Sequence, residues 1–438
     1  MSEKRARQQQ RRRRRRAAGP TMSTANRRAS TAVPPSLPWL DPAHEETLSD
    51  MLGEVAELIA SEAADFNDAL EAEMAASAIA NTWRFGPLPD PGGDADRLFG
   101  NALVRALERL GGSDAGVALR ALAVVGAESY ATRARAAAAR RSAGSPPHPP
   151  WIEDLGRARP VAALMMCDEV FDDGVSILIE FARPNGEPHT LGLYIDHNMG
   201  GIVKDAFVAG PLGEVRERFP DLRAIDLGEA RARVERALDV LDHTLDPPVD
   251  KDVERLRGFM YARAKLLPGG AVPLDEFEEL PPDERESLLS DFLSSPEGER
   301  WRGDADAEDV AVMAIAFGVD YNYGGPLRWS PGVVEIFMTG WLARKVPCEV
   351  EFFERVPEVL RDWVAYAGRR RGVPAAAVDQ AVGAVNLFRE EMLDAVADSE
   401  RWGPAKAFVI AAQEAGVDLT DADALNEFAE RYNEELAA

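Results

Sequence analysis

Residues 175–196 constrain the possible folds of this chain more tightly than any other stretch. Segments 175–183 and 188–196 read as strands and flank the turn Pro184-Asn185-Gly186. Proline presets the backbone for the first turn position and glycine accepts the left-handed third, which together specify a three-residue hairpin loop. That loop sets Val175 opposite Ile195, Ile177 opposite Leu193 and Ile179 opposite Leu191, so one face becomes wholly aliphatic. A two-residue loop would scatter the same side chains over both faces. The polar face carries Glu180 opposite Thr190 and Ser176 opposite Tyr194, the pattern of a solvated or partly covered sheet face. Flanking runs at 161–167 and 201–208 read as a third and fourth strand, and 211–219 as a helix.

Outside this region the apolar residues recur at three- and four-residue spacing, the period of a helix. Leu48, Met51, Leu52, Val55, Leu58 and Ile59, continued by Phe66 and Leu70, predict one long amphipathic helix, ended by a Gly-, Pro- and Asp-rich loop at 86–94. Asp96 is placed to cap a second helix, stopped by Gly111-Gly112, and a third is predicted over 114–141. Further helices are expected near 229–243, 250–266, 282–294, 305–318, 331–344, 349–371, 374–397, 404–416 and 421–436. Ser330-Pro331, Gly403-Pro404 and Thr420 supply starts; Gly372 and Gly416 supply stops.

A chain of 438 residues is too long for one ordinary core. The clearest boundary is the stretch at 142–150, Ser-Ala-Gly-Ser-Pro-Pro-His-Pro-Pro. The expected division is a disordered tail over 1–40, N-terminal helices over 41–141, that linker, a small α/β unit over 151–226, a helical region over 227–326 and a C-terminal helical domain over 327–438. The fold class is α+β, predominantly helical, with a small central antiparallel β-meander.

The net charge of −25 hides an asymmetry. Residues 1–30 carry a net +10 and the remainder −35. An acidic body repels nucleic acid and anionic membrane, whereas the block Arg11, Arg12, Arg13, Arg14, Arg15 and Arg16 attracts both. The tail reads either as an electrostatic arm for a polyanion or as a solvated segment upstream of an alternative start at Met22. Two distant cysteines, Cys167 and Cys348, exclude a disulfide framework and fit a reducing compartment. With no apolar run of membrane-spanning length and no signal-peptide pattern, the expectation is a cytoplasmic protein. Only six of the 50 basic residues are lysine, a bias that matches GC-rich bacterial coding.

The phosphate-binding, dinucleotide, zinc-helix and nucleophile-elbow signatures are absent. Three places remain as candidates. The first is Asp196-His-Asn-Met-Gly-Gly201, where the hairpin register sets Asp196 opposite Gly174 and His197 opposite Asp173. Asp172, Asp173, Asp196, His197, Lys204 and Asp205 then share one sheet edge, a set suited to general-base chemistry or to holding Mg²⁺ or Mn²⁺. The plainer reading is a turn built by Asn and Gly. The second is an aromatic loop with Tyr321, Tyr323, Arg328 and Trp329, suited to stacking a ligand or to packing between helices. The third is Glu180 on the polar hairpin face.

The stretches Arg401-Trp-Gly-Pro-Ala-Lys406, Gly416-Val-Asp-Leu-Thr-Asp421 and Tyr432-Asn433, with Tyr194-Ile-Asp-His-Asn-Met-Gly-Gly-Ile-Val-Lys-Asp-Ala-Phe207, resemble segments of an uncharacterised actinobacterial protein group. The resemblance covers about a third of the chain, implies a bacterial cytoplasmic origin and carries no catalytic residues. The functional expectation is a non-catalytic interaction or regulatory protein with a protein or polyanion partner, its basic tail available to nucleic acid. The alternative is a metal-dependent hydrolase or nuclease at the end of the hairpin. No cofactor is indicated outside that alternative.

Overall fold

The computed structural model describes residues 45–83, 94–142, 149–167, 170–217, 221–244, 247–269, 280–322 and 324–437. The arginine block Arg11 to Arg16 and Met22, most of the loop at 86–94 and of the linker at 142–150, and Tyr323 lie outside these residues. The fold is α+β and predominantly helical, with one five-stranded antiparallel sheet. Two compact units divide the chain. One spans 30–168 and 174–276; the other takes 277–438 together with 169–173 from between two strands of the sheet. The residues on both sides of the proline-rich stretch, 45–142 and 149–167, belong to the same unit. Proline fixes where a chain bends, not which side chains share a core.

The sheet unit begins with helices α1 (Glu45–Met51), α2 (Gly53–Ala64) and α3 (Ala69–Asn81). The single long helix read from the sequence is therefore broken. Asp68 accepts from Glu71 N at 2.9 Å while the Glu71 carboxylate accepts from N of Asn67, the residue before the cap, a reciprocal pair that starts α3 afresh. Helix α4 (Asp94–Leu110) starts ahead of Asp96, whose carboxylate accepts from Trp83 Nε1 instead of serving as the helix cap. The predicted helix over 114–141 is two, α5 (Gly112–Val125) and α6 (Glu128–Ser142), parted at Gly126. A Cβ there would lie 2.5 Å from the Tyr130 ring, so the break and the buried tyrosine occur together.

Strands β1 (Arg159–Cys167), β2 (Gly174–Ala182), β3 (His189–Asp196) and β4 (Ile202–Ala209) follow, then helix α7 (Leu212–Arg216) and strand β5 (Arg223–Ile225). The sheet order is β4-β3-β2-β1-β5. Val175 pairs with Ile195, Ile177 with Leu193 and Ile179 with Leu191, the expected register, but the ladder ends at Phe181 and His189 and Gly186 does not take the left-handed conformation expected of it. This aliphatic face is buried under α8 (Leu227–Asp242) and α9 (Lys251–Ala264), where Val234, Leu238 and Phe259 join one cluster with it. Each such side chain contributes about 1.5–3 kcal/mol on burial. The polar face is covered in part by α7: Glu180 accepts from Leu212 N at 2.9 Å, and Leu212 and Val215 pack with Leu164 and Leu178. The short strand β5, which has no readable alternation, adds to the β1 edge.

Where Gly258 of α9 meets α3 the contact carries almost no side chain, whereas Glu73 and Arg263 pair across the same two helices further along. Ala69, Ala72, Ala76 and Ala80 are buried along α3. A Cβ on Gly258 would stand 2.8 Å from Val125 O and 3.2 Å from Ser77 Oγ. Ser77 fills that space usefully, donating to Arg255 O and accepting from Phe259 N.

The C-terminal unit contains α10 (Pro282–Ser294), α11 (Ala305–Asp320), α12 (Pro331–Glu335), a π-helical segment (Ile336–Trp341), α13 (Leu342–Lys345), α14 (Val350–Arg371), α15 (Ala375–Leu387), α16 (Arg389–Ala397), α17 (Pro404–Glu414) and α18 (Ala422–Ala437). Asp304 and Ser330 cap α11 and α12, and Gly372 closes α14 in the left-handed conformation. Asp421, not Thr420, caps α18, accepting from Asp423 N and Ala424 N. The expected helix over 374–397 divides at Phe388. Trp363, Phe337, Phe353 and Phe292 centre the core, and Phe408, Phe428 and Tyr432 join α17 to α18. Among the described residues no helix is long and apolar enough to cross a membrane.

Candidate functional site

The hairpin end forms a tight turn. The Asp196 carboxylate, almost fully buried, accepts from Asn198 N at 2.8 Å and from Lys204 Nζ at 2.7 Å. Gly200 and Gly201 adopt positive φ, and Gly201 N returns to Asp196 O at 2.9 Å. The β3–β4 register shifts between Tyr194, paired with Asp205, and Ile195, paired with Val203, which leaves Lys204 on a bulge. Its side chain is thereby free to fold back on Asp196, and its carbonyl accepts from Asp250 N at the start of α9. His197 is buried in the short 3₁₀ turn and Asp205 is exposed on β4.

Asp173 is held by a different partner. The β2–β3 pairing ends at Gly174 and Asp196, and Asp172 and Asp173 belong to the C-terminal unit. There Arg328, wholly buried, donates through Nη1 to Asp173 Oδ1 at 2.8 Å and to the Phe171 and Asp172 carbonyls, and through Nη2 to Asn322 Oδ1 at 2.7 Å. Burial pushes the Arg328 guanidinium below its ordinary range, and the carboxylates of Asp173 and Asp172 oppose that shift. Asp172 holds a left-handed backbone, φ 57°, a conformation that Asp tolerates better than most residues. Arg328 therefore fastens the 170–173 loop.

The aromatic loop is largely packed inward. Trp329 is buried and donates to Pro326 O; Tyr321 stacks on Phe317 and meets Trp341 edge-on while remaining 39% exposed. Among the described residues no three His, Cys, Asp or Glu side chains converge in a way that would hold a metal ion.

A different site emerges in the sheet unit, one the periodicity and motif reading missed. A groove of about 550 Å³ lies among α5, α6, the 150–157 turn and the end of α9. Arg120, Arg135, Arg157, Arg263 and Lys265 line it, with Glu153 as its single lining carboxylate. Arg135, Arg157 and Lys265 are exposed. Val124, Ile152, Leu155 and Leu266 supply an apolar wall.

Behind this groove sits a buried polar network. Arg263, 1% exposed, donates through Nη2 to Glu73 Oε2 at 2.5 Å and through Nε to His189 Nε2 at 3.0 Å. Glu73 Oε1 accepts from Gly156 N, itself part of the groove lining. The guanidinium lies 4.1 Å from the Phe259 ring centroid. Arg263 Nη1 is buried and has no hydrogen-bond partner. Burial pushes Arg263 below its ordinary range, opposed by Glu73, and burial then the Arg263 charge hold His189 down at about 3. His189 is therefore neutral, with its proton on Nδ1 because Nε2 accepts. The signal for this site is spread over α3, β3, α5, α6 and α9, so no local motif announces it. No family model, curated protein or solved structure matches the chain.

Proposed function

We propose that the protein is a non-catalytic, cytoplasmic binding or regulatory protein, with its arginine-rich amino-terminal segment engaging a polyanion such as nucleic acid. What supports the non-catalytic part is the state of the candidate carboxylates. Asp196 is taken up by its own turn and by Lys204, and Asp173 by Arg328, so each carboxylate already has a cationic partner. Among the described residues no three His, Cys, Asp or Glu side chains converge as a site for Mg²⁺ or Mn²⁺ would need. Two free cysteines far apart in sequence fit a reducing compartment.

The test is polyanion binding by the full chain and by the chain lacking residues 1–21. Contact through six arginines predicts affinity that falls about a thousandfold between 50 and 200 mM salt, and that disappears on deletion. Unchanged binding by the shortened chain removes the arm from the reading. A thermal shift with Mn²⁺ or Mg²⁺ that Asp196→Ala abolishes would replace the non-catalytic reading with metal-dependent hydrolysis.

A further inference from the structure

We infer that the groove among α5, α6 and α9 is an anion-binding site for a small molecule that joins a multiply charged phosphate or carboxylate group to an aliphatic body. Three observations converge on this class. Five of the lining residues are cationic against one acidic, on a chain whose net charge is −25. Random surface on such a protein is acidic, so a concave patch of the opposite sign is a local construction. Its attraction acts within about 8 Å at physiological salt, inside the screening length that mutes the surrounding acidic surface.

The second observation is Arg263. A buried guanidinium paired with Glu73 lines the groove and keeps one nitrogen, Nη1, without a hydrogen-bond partner. An arginine costs several kcal/mol to bury, and here it lines a concave surface rich in other cations. The third is shape and lining. A volume of about 550 Å³ matches a small-molecule cleft and is too small for a folded partner. Val124, Ile152, Leu155 and Leu266 offer aliphatic contact and no ring lines the groove, so a carbon chain fits better than a stacked base. Arginine's planar fork suits phosphate and carboxylate oxygens alike.

Nearby groups set the balance. Arg135 also donates to Ala123 O at 3.3 Å, Arg157 stands 3.9 Å from Glu153, and Glu128 feels both Arg135 and Lys265. These contacts are exposed or half-buried and of modest strength, so they hold the cations near the groove without neutralising them.

The experiment uses calorimetric titration of the full chain with pyrophosphate, citrate, inorganic phosphate and hexyl phosphate. Binding of at least one, weakened tenfold or more in Arg135→Ala/Lys265→Ala, is the expected result. Hexyl phosphate tighter than inorganic phosphate confirms the aliphatic wall; pyrophosphate against citrate separates phosphate from carboxylate recognition. The chain lacking residues 1–21 must bind as the full chain does, which distinguishes this site from the amino-terminal arm. No binding of any probe overturns the inference, as does binding that the double variant leaves unchanged while its thermal unfolding matches the parent. Binding that vanishes with residues 1–21, or tighter capture of single-stranded RNA by the shortened chain, also overturns it.

Discussion

Arg328 and Asp173 lie 155 residues apart in sequence and meet at 2.8 Å, with the arginine fully buried. The same guanidinium holds two backbone carbonyls of the 170–173 loop and the Asn322 side chain, so its donors are distributed over four acceptors. Phe171, carried by that loop, enters the aromatic core of the C-terminal unit.

Arg328→Met is expected to destabilise the protein by about 3–5 kcal/mol, since it strands a carboxylate and three further acceptors. Arg328→Lys restores charge but not the fork, and recovers only part of the loss. Urea denaturation followed by tryptophan fluorescence measures both; a loss below 1 kcal/mol for the methionine variant contradicts the pinning role.

The Glu73–Arg263 pair gives a second expectation. Arg263→Met leaves a buried carboxylate without its main partner and costs about 3–5 kcal/mol. Glu73→Met/Arg263→Met removes both charges together and recovers most of that loss. A double-mutant cycle in denaturant reads the coupling directly.

Acid sensitivity follows from His189. Unfolded it binds a proton near 6.5; folded it does so only at about 3. Between these values the unfolded chain holds more protons, so stability is complete above 6.5 and falls as pH drops toward 3. His189→Gln keeps an acceptor for Arg263 Nε and does not titrate. Denaturation midpoints between pH 6.5 and 5, above the carboxylate range, should therefore slope less in that variant by up to about 1.4 kcal/mol per pH unit. Parallel slopes contradict it.

Lys406 acts at the alkaline end. Its ammonium is buried, donates to Ala343 O and Val396 O, and lies over the Phe353 and Trp402 rings. Burial pushes it down to about 8, against the partial support of Cys348. The unfolded chain holds the extra proton between 8 and 10.5, so stability rises with pH through that window. Lys406→Met should remove this rise, read as thermal midpoints at pH 7.5, 9 and 10.

The hairpin was legible because its causes are local. Pro184-Asn185-Gly186 marks the loop, although Gly186 does not take the left-handed conformation expected of it, and the alternation on either side admits one register with an aliphatic face. The helix start at Ser330 and the stop at Gly372 were legible for the same reason. The reciprocal pair at Asp68 and Glu71 was equally local and readable, but the continuing apolar period around it suggested one helix. Gly126 was harder, because its break goes with the Tyr130 ring that fills its place.

The candidate sites divide along the same line. The turn at Asp196 is written in its Asn and Gly residues, yet only the bulge at Lys204 shows what occupies its carboxylate. The sequence by itself determined the secondary elements whose signals lie within a few residues, together with the α+β class. Tertiary structure alone decided that Asp173 belongs with Arg328, that Glu73, Arg263 and His189 form one network, and that five scattered cations share a groove. The physical reason is separation: turns, caps and strand faces are set by near neighbours, whereas buried charge finds its partner across a core that no local pattern records.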